Sequence, residues 1–308
     1  MDMDFGILDL GAWPRDYTFS GAIQDTLEIV RFSEALGCSR YWVAEHHQHN
    51  SLFSAPEIFV GWLAASTAQI RIGTAGILLR YRNPYILAQA FGLLASLFPN
   101  RIDLGIARGA IAGPITKLFP GEDVSQHGIE QKCDLLVSLL RQAPDRSIVH
   151  PPGQVPELWA LGGRGAAITG ARNTMNYCLD SLFCTPTDRD ITDTVDAYNL
   201  ESSRHPHNPG LTNKAMAIAG ICSETTHLAD TQLKDAVLAG FPVHTLAATV
   251  IGSQDTWRSH LTHLLTTCRF DTFIFLITSF DPDVRKNSIR LIAEVLRSIH
   301  VDSTSAAS

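Results

Sequence analysis

The sequence contains few charged residues and no strongly basic cluster. Charged side chains make up 18% of the 308 residues, and the net charge at pH 7 is −7. Proteins that bind the phosphate backbone of nucleic acids concentrate positive charge on one surface. The most basic short segment, RKNSIR at residues 285–290, reads instead as the solvated face of a helix. The composition therefore argues against nucleic-acid binding.

Long apolar runs and paired cysteines are also lacking. No segment reaches the roughly 18 consecutive apolar residues that a membrane-spanning helix requires, and the N-terminus lacks the pattern of a secretory signal. Six cysteines are scattered without CxxC spacing, which favours reduced, buried thiols over a disulfide framework. They are Cys38, Cys133, Cys178, Cys184, Cys222 and Cys268. We therefore expect a cytoplasmic protein without membrane contact.

What the chain does contain is a repeated switch between strand-length apolar runs and segments of helical period. Hydrophobic residues make up 45% of the chain, which is enough for a large core. Strands are expected at residues 3–10, 40–45, 70–79, 101–107, 157–162, 177–183, 214–222 and 271–277. Helices are expected at about 21–37, 54–67, 83–98, 126–141, 165–174, 187–202, 224–239, 253–267 and 282–299. Gly37 should end the first, Ser54 should cap the second with Glu57 closing a capping box, and Asn83 should open the third.

This alternation predicts a parallel sheet covered on both faces, and eight units predict a closed α/β barrel of the TIM type, (β/α)8. A doubly wound open sheet stays an alternative, although the first strand–helix turn lacks the G-x-G-x-x-G motif. We expect one barrel domain over residues 1–300 and a disordered tail at 301–308. Segments 108–125, 142–155 and 240–252 interrupt the alternation, and the first follows the fourth strand as a loop insertion at the C-terminal face.

Four predicted strand ends are polar or rich in glycine, as the ends that carry barrel active sites often are. They are AEHH (44–47), GTAG (73–76), ARGA (107–110) and GGRG (162–165). Each alone has an ordinary explanation, such as a structural hydrogen bond, tight packing or a turn. His47 and His49 could also form an H-x-H metal pair in a barrel hydrolase, but no later strand ends in an obvious ligand.

Taken together, these motifs resemble the luciferase-like flavin-dependent monooxygenases. The resemblance is dense over residues 5–108, through FGILDL, LGCSRYWVAEHH, APEIFVGWLAASTAQIRIGTAGILL and LFPNRIDLGIARG. Farther along, PELWALGGRG and VIGSQDTWRSHL fall where the family places a phosphate turn and a late helix. The resemblance implies a TIM-type barrel that binds reduced FMN at the C-terminal face of its strands.

The resemblance also implies roles for single residues. His46 matches the catalytic position of the family, with Glu45 close enough to orient the site, and a neutral imidazole suits proton transfer near neutral pH. Ala75 and Gly76 match a non-proline cis peptide beneath the flavin ring. Arg108 matches an arginine that grips the flavin phosphate. No metal is expected.

The phosphate turn departs from the family pattern. Gly163, Arg164 and Ala167 stand where relatives usually carry serine or threonine hydroxyls. Backbone N–H groups at a helix start can still bind an anion, and we expect Arg108 and Arg164 to hold the phosphate jointly. Replacement of Arg164 by alanine should then weaken FMN binding by about tenfold. The alternative is that Arg164 is a surface residue paired with a nearby acid.

The function implied is that of a two-component flavin-dependent monooxygenase. A separate flavin reductase would supply reduced FMN, and O2 would oxygenate a small organic substrate on a homodimeric enzyme. A non-catalytic flavin-binding protein of the same fold is the alternative, and the altered phosphate turn fits it. Use of a deazaflavin also stays open. An apolar substrate pocket is predicted from Trp13, Ile111, Ile115 and Phe119.

Overall fold

The structure is a computed structural model of a single chain. It describes residues 4–47, 50–109, 118, 125–141, 155–182, 186–205, 213–242, 249–268 and 270–305. The strands are β1 (Asp4–Asp9), β2 (Arg40–Val43), β3 (Arg71–Leu78), β4 (Ile102–Ala107), β5 (Glu157–Gly162), β6 (Asn176–Asp180), β7 (Lys214–Ser223), β8 (Val250–Ser253) and β9 (Thr272–Ile277). The helices are α1 (Phe19–Leu36), α2 (Pro56–Ala65), α3 (Pro84–Leu97), α4 (Gln126–Arg141), α5 (Arg164–Arg172), α6 (Asp188–Ser203), α7 (Thr226–Leu238), α8 (Gln254–Cys268) and α9 (Pro282–Ser305).

Eight of these strands close into a parallel barrel. Strands β1 to β6 lie side by side in chain order, β6 pairs with β7, β7 with β9, and β9 with β1. The predicted TIM-type barrel is therefore confirmed, and all eight predicted strands are present. Strand β8 is an addition outside the barrel, because it pairs only with the end of β7, from Gly220 to Ser223. It lies in segment 240–252, where no strand was expected.

The core has two layers because successive side chains of a strand point to opposite faces. One apolar cluster lies between the barrel and its helices and includes Phe5, Ile7 and Tyr41. A second cluster includes Leu8, Trp42 and Trp159. These residues alternate with those of the first cluster, so we assign the second cluster to the barrel interior.

Charged side chains, rather than apolar ones, fill the N-terminal end of the barrel interior. Arg40 lies 3.1 Å from Asp103 and 3.4 Å from Glu157. Arg71 contacts the same two acids at 2.6 and 3.0 Å. The indole of Trp42 donates to Asp103 at 2.8 Å. The four ionic residues form a compact network across β2, β3, β4 and β5.

Local signals set most helix ends. Asn83 caps α3 by accepting from two backbone N–H groups, and Gly37 ends α1 in the left-handed region at φ 90°. Ser54 was the expected N-cap of α2 with Glu57 closing a capping box, but the N-cap is Ala55 and no side chain caps the helix. Glu57 is instead paired with Arg82 at 3.1 Å.

The C-terminal helix is longer than expected. Helix α9 continues to Ser305, five residues into the segment predicted to be a disordered tail. A helix that is already nucleated can add residues at its end at little cost, so polar composition alone does not mark where it stops. In the part of the chain that the structure describes, no helix is long and apolar enough to cross a membrane.

Candidate functional site

The four polar strand ends singled out in the sequence belong to neighbouring strands. Strands β2, β3, β4 and β5 are adjacent in the barrel. Because all strands run parallel, their C-terminal ends meet at one rim, the face on which barrel enzymes build active sites. The fold therefore places Glu45 and His46, Ala75 and Gly76, Arg108, and the turn at 162–164 along one arc of that rim.

Glu45 is the most highly connected residue of the arc. Its carboxylate is fully buried and accepts from the backbone N–H of Leu78 at 2.9 Å. Arg82 donates to both of its oxygens, from Nε at 3.1 and 3.2 Å and from Nη2 at 2.9 Å. Nε2 of His47 lies 2.7 Å from Oε1. Glu45 thus joins the ends of β2 and β3 and orients His47 directly.

His46 is held in a different way from its neighbour. Nδ1 lies 3.2 Å from the carbonyl oxygen of Ala44. Since a carbonyl can only accept, Nδ1 carries the hydrogen and Nε2 keeps its lone pair. Burial lowers the pKa of His46, although the Ala44 carbonyl and Glu45 act in the opposite direction. His46 is therefore a neutral imidazole at pH 7, as a base or hydrogen-bond acceptor requires.

The loop that carries His46 is fastened to the loop after β1. The His46 N–H donates to the Phe53 carbonyl at 3.3 Å, and the Leu52 N–H donates to the Gly11 carbonyl at 2.8 Å. Gly11 has φ +65°, and a Cβ there would lie 2.5 Å from the Phe53 ring. Only glycine fits this position, so the path of the loop around His46 depends on it.

The peptide bond between Ala75 and Gly76 is cis, as predicted. The pairing of β3 with β4 shifts register between Thr74 and Ile77, around this bond. A Cβ on Gly76 would lie 2.8 Å from the backbone nitrogen of Ala107 and 2.9 Å from Leu161. The close approach of β3 and β4 therefore requires glycine here, while Ala75 is the more exposed member of the pair.

Arg108 lies beside the start of α5. Both line a small pocket of about 40 Å³, with Gly165, Ala166 and Thr169 contributed by the helix. The N-cap of α5 is Gly163, and no side chain caps this end. A Cβ on Gly163 would meet nothing within 4 Å. The first N–H groups of α5 can therefore donate hydrogen bonds to an anion beside Arg108.

Arg164 is placed elsewhere. Its Nη1 donates to the backbone carbonyl of Asp193 on α6 at 2.9 Å. It does not line the pocket beside Arg108. Helix α6 packs against α5 and offers this carbonyl to Arg164. The joint binding of one phosphate by Arg108 and Arg164 stays a prediction.

Several predicted residues lie outside the part of the chain that is described. They are Cys184, His49, Ile111, Ile115 and Phe119. Trp13 is described, and its ring packs edge-on against Phe19. The remaining five cysteines are free and buried. Among the described residues, no group of three or more His, Cys, Asp or Glu side chains is arranged to hold a metal ion.

The sequence was compared with known families and proteins. The model of the luciferase-like monooxygenase family matches residues 3–259. The chain belongs to this family. It is 34% identical over 219 residues to the uncharacterized protein YceB of Bacillus subtilis (strain 168), which covers 68% of this chain and 65% of that protein. It is 40% identical over 103 residues to the N-acetyl-S-alkylcysteine monooxygenase of the same organism, which covers 33% of this chain and 31% of that enzyme.

A solved structure of the family supports the same fold. The crystal structure of apo-MsnO8 superposes with a TM-score of 0.82 at 25% identity, covering 95% of this chain and 98% of that one. The sequence alignments, in contrast, cover less than two thirds of the length of the two Bacillus relatives. The conserved fold therefore extends further than the recognisable sequence.

Arg82 is the main site residue that the sequence did not reveal. It follows a short 3-10 turn after β3 and binds both Glu45 and Glu57. In the sequence it belongs to the segment RYRNP, which reads only as the approach to a helix. The two carboxylates lie 37 and 25 residues away along the chain, so no local pattern indicates the pairing.

Proposed function

We propose that this chain is a flavin-dependent monooxygenase that uses reduced FMN and O2 to oxygenate a small organic substrate. The observation that carries the proposal is the arc of β2 to β5, on which a neutral His46, the cis peptide of Ala75 and Gly76, and the pocket that Arg108 lines beside α5 follow one another on adjacent strands. Membership of the luciferase-like monooxygenases supports the same reaction class.

The residues present fit an FMN phosphate at the start of α5. This helix end has no side-chain cap and open space at Gly163, and Arg108 lies at the same pocket. A phosphate there would accept from the first N–H groups of the helix and from the Arg108 guanidinium. Arg164 would contribute by fixing the turn against α6 rather than by contacting the phosphate. Reduced FMN, when bound, supplies the electrons that activate O2.

His46 would serve as the neutral imidazole of the site. Its Nε2 lone pair can take a proton or accept a hydrogen bond, because Nδ1 donates to Ala44. Burial opposes its protonation, which keeps that lone pair available near pH 7. Glu45 would orient the rim from beneath and would not contact the substrate, since its acceptor positions are already taken.

We propose further that reduction of the flavin takes place on a separate reductase. The proposal is supported by the sequence, which has no G-x-G-x-x-G motif after its first strand. A cytoplasmic location fits the five free, buried cysteines, because thiols stay reduced in that compartment.

We also propose that two copies pair through α2 and α3. Five large apolar side chains on these helices are exposed, namely Ile58, Tyr85, Ile86, Leu93 and Leu97. The last three recur at helical spacing along one face of α3, and a contiguous apolar face of this kind marks an interface. Leu93→Glu should convert a dimer to a monomer in light scattering, whereas Leu238→Glu on α7, where the leucine is 85% exposed against 51% for Leu93, should not. A parent protein that is monomeric at micromolar concentration would refute this pairing.

The proposed activity is tested by isotope incorporation. The protein, FMN, NADH and a flavin reductase are incubated under ¹⁸O2 with a set of small thioethers, ketones, aldehydes and terpenes, and products are analysed by mass spectrometry. We expect one atom of ¹⁸O in a product that forms only when the reductase is present. Tight binding of reduced FMN without labelled product from any of these classes would favour a non-catalytic flavin-binding protein. Tight binding of a reduced deazaflavin in place of FMN would contradict the cofactor proposed.

A further inference from the structure

We propose that His47 is a proton-transfer residue of this site and that Arg82 is the positioning residue that holds it through Glu45. The proposal rests on the proposed function of the arc at the C-terminal face. It assigns a role to the second imidazole of the EHH segment and to an arginine outside that segment. Three contacts carry it: His47 to Glu45, Glu45 to Arg82, and Arg82 to Glu57.

The contact between His47 and Glu45 fixes which ring nitrogen carries a hydrogen. Nε2 lies 2.7 Å from Oε1 of Glu45. A carboxylate paired with a guanidinium only accepts hydrogen bonds, so Nε2 must donate. Nδ1 is then the atom with the lone pair. His47 is oriented by a carboxylate, as the imidazole of an acid–base pair requires.

His47 is also the more accessible of the two adjacent histidines. Its side chain is 26% exposed at the C-terminal face, and its ring makes an edge contact with Tyr81 at 6.4 Å between centroids. His46 is more deeply buried, and its Nδ1 is bound to the Ala44 carbonyl. A proton exchanged with a substrate or with water therefore reaches His47 more directly.

Arg82 keeps Glu45 in the orientation that His47 needs. Its guanidinium contacts Glu45 through Nε and Nη2, Glu57 through Nη1 at 3.1 Å, and the Ser54 carbonyl through Nη2 at 3.2 Å. These partners come from the end of β2 and the start of α2. Only the planar fork of an arginine reaches them together, since a lysine ammonium is a single point of donation. Without Arg82, the Leu78 N–H still holds one oxygen of the carboxylate, but the group can turn about that contact and away from His47.

The proton transfer balances without any change of oxidation state. A bond from hydrogen to Nδ1 forms as the bond from that hydrogen to an acidic atom of the substrate or to water oxygen breaks, and the electron pair stays on that atom. The resulting imidazolium lies against the Glu45 carboxylate, which stabilises the positive charge. Return of the proton from Nδ1 restores the neutral ring.

The orientation is tested first, without any cofactor. In protein labelled with ¹⁵N-histidine, the hydrogen on Nε2 of His47 should give a downfield, slowly exchanging proton signal, assigned by its loss in His47→Gln. We expect the signal to disappear in Arg82→Ala, to weaken in Arg82→Lys, and to persist in Arg189→Ala. Arg189 is a suitable control because it is an exposed arginine on α6 that pairs with Asp193 and is not part of the contacts around Glu45. Circular dichroism melting identifies any variant that fails to fold. If Arg82→Ala does not fold, the signal in Arg82→Lys tests the positioning role instead.

The role in turnover is tested second, with the ¹⁸O2 assay. We expect His47→Gln to lower product formation by at least about a hundredfold. Arg82→Ala should also lower product formation, while its dissociation constant for reduced FMN stays within about twofold of the parent value. A signal that survives in Arg82→Ala would overturn the positioning role. Full turnover in His47→Gln would overturn the proton-transfer role. A parent that shows the signal but forms no product would overturn the proposed function and the proton transfer together, and leave the positioning of His47 established.

Discussion

The guanidinium of Arg40 lies 3.1 Å from the carboxylate of Asp103 in the barrel interior, where both side chains are almost completely removed from water. Arg71 donates to the same carboxylate, and so does the indole of Trp42. Asp103 thus contacts both arginines, as Glu157 does, at the end of the barrel opposite the candidate site. Barrels commonly use that end for stability rather than chemistry.

Replacement of Asp103 by alanine should be strongly destabilising. It leaves Arg40 buried with only the longer contacts to Glu157 and Asp4, and breaking a buried ion pair from one side costs about 3–5 kcal/mol. The matched control is Asp283→Ala on α9, where an 89% exposed carboxylate pairs with Lys286 and is worth at most about 1 kcal/mol. Urea unfolding monitored by tryptophan fluorescence measures both. Equal losses in the two variants would show that the internal network adds no stability.

A second buried pair predicts how stability responds to acid. Burial alone would raise the pKa of Asp9, but Arg285, Tyr41 and the N–H of Gly11 together leave the pKa of this carboxyl below its ordinary value. A group whose pKa is lowered by folding stabilises the protein above its unfolded pKa of about 3.9, and this contribution is lost as the pH falls through the folded value. We therefore expect the free energy of unfolding to decline below about pH 4.

The variant Asp9→Asn isolates this contribution. It should be less stable than the parent at pH 7, because Arg285 loses its carboxylate partner at 2.8 Å, and its stability should change less between pH 5 and the acid limit of the folded state. Urea unfolding at a series of pH values gives both quantities. If the slopes of parent and variant coincide below pH 4, Asp9 does not contribute to acid sensitivity.

Alanine substitutions at two glycines with positive φ should separate the cost of backbone strain from the cost of a steric collision. Gly37 at φ +90° has open space where a Cβ would be, whereas at Gly11 a Cβ would lie 2.5 Å from the Phe53 ring. Gly37→Ala should cost about 1–2 kcal/mol for the left-handed conformation alone. Gly11→Ala should cost clearly more and should also weaken reduced-FMN binding, because Phe53 carries the carbonyl that fixes His46. Equal costs and unchanged flavin affinity would contradict the proposed coupling of the two loops.

Sequence patterns were sufficient at most positions with a local physical signal, the capping box expected at Ser54 and Glu57 being an exception. The buried runs of β4 and β9, the cap at Asn83 and the left-handed end at Gly37 all depend on neighbouring residues, and each is found where it was expected. Strand β8 was missed because its four residues are mostly half-exposed and do not form a buried run. Its position depends on the late part of β7, which extends beyond the barrel.

The side-chain contacts that build the site depend on the closed fold and could not be predicted. The pairing of Arg82 with Glu45 joins residues from two different strand ends, and the Arg40–Asp103 pair joins residues 63 positions apart. Charged residues at strand starts read as surface in a sequence, although a closed barrel buries them. The direction of the Arg164 side chain could not be predicted either. It is set by packing of α5 against α6, where the Asp193 carbonyl accepts from the guanidinium.

The anaerobic binding of reduced FMN and of reduced riboflavin tests the central claim, that the arc of β2 to β5 holds a flavin with its phosphate at Arg108 and the start of α5. We expect the parent to bind reduced FMN at least tenfold more tightly than reduced riboflavin, and Arg108→Ala to abolish most of that difference, since a charge-assisted contact contributes about 1.5–3 kcal/mol. Arg164→Ala should weaken FMN binding by less than about threefold, because its guanidinium is bound to the Asp193 carbonyl. A parent that binds neither flavin, or an Arg108→Ala variant that binds FMN as tightly as the parent, would contradict the account.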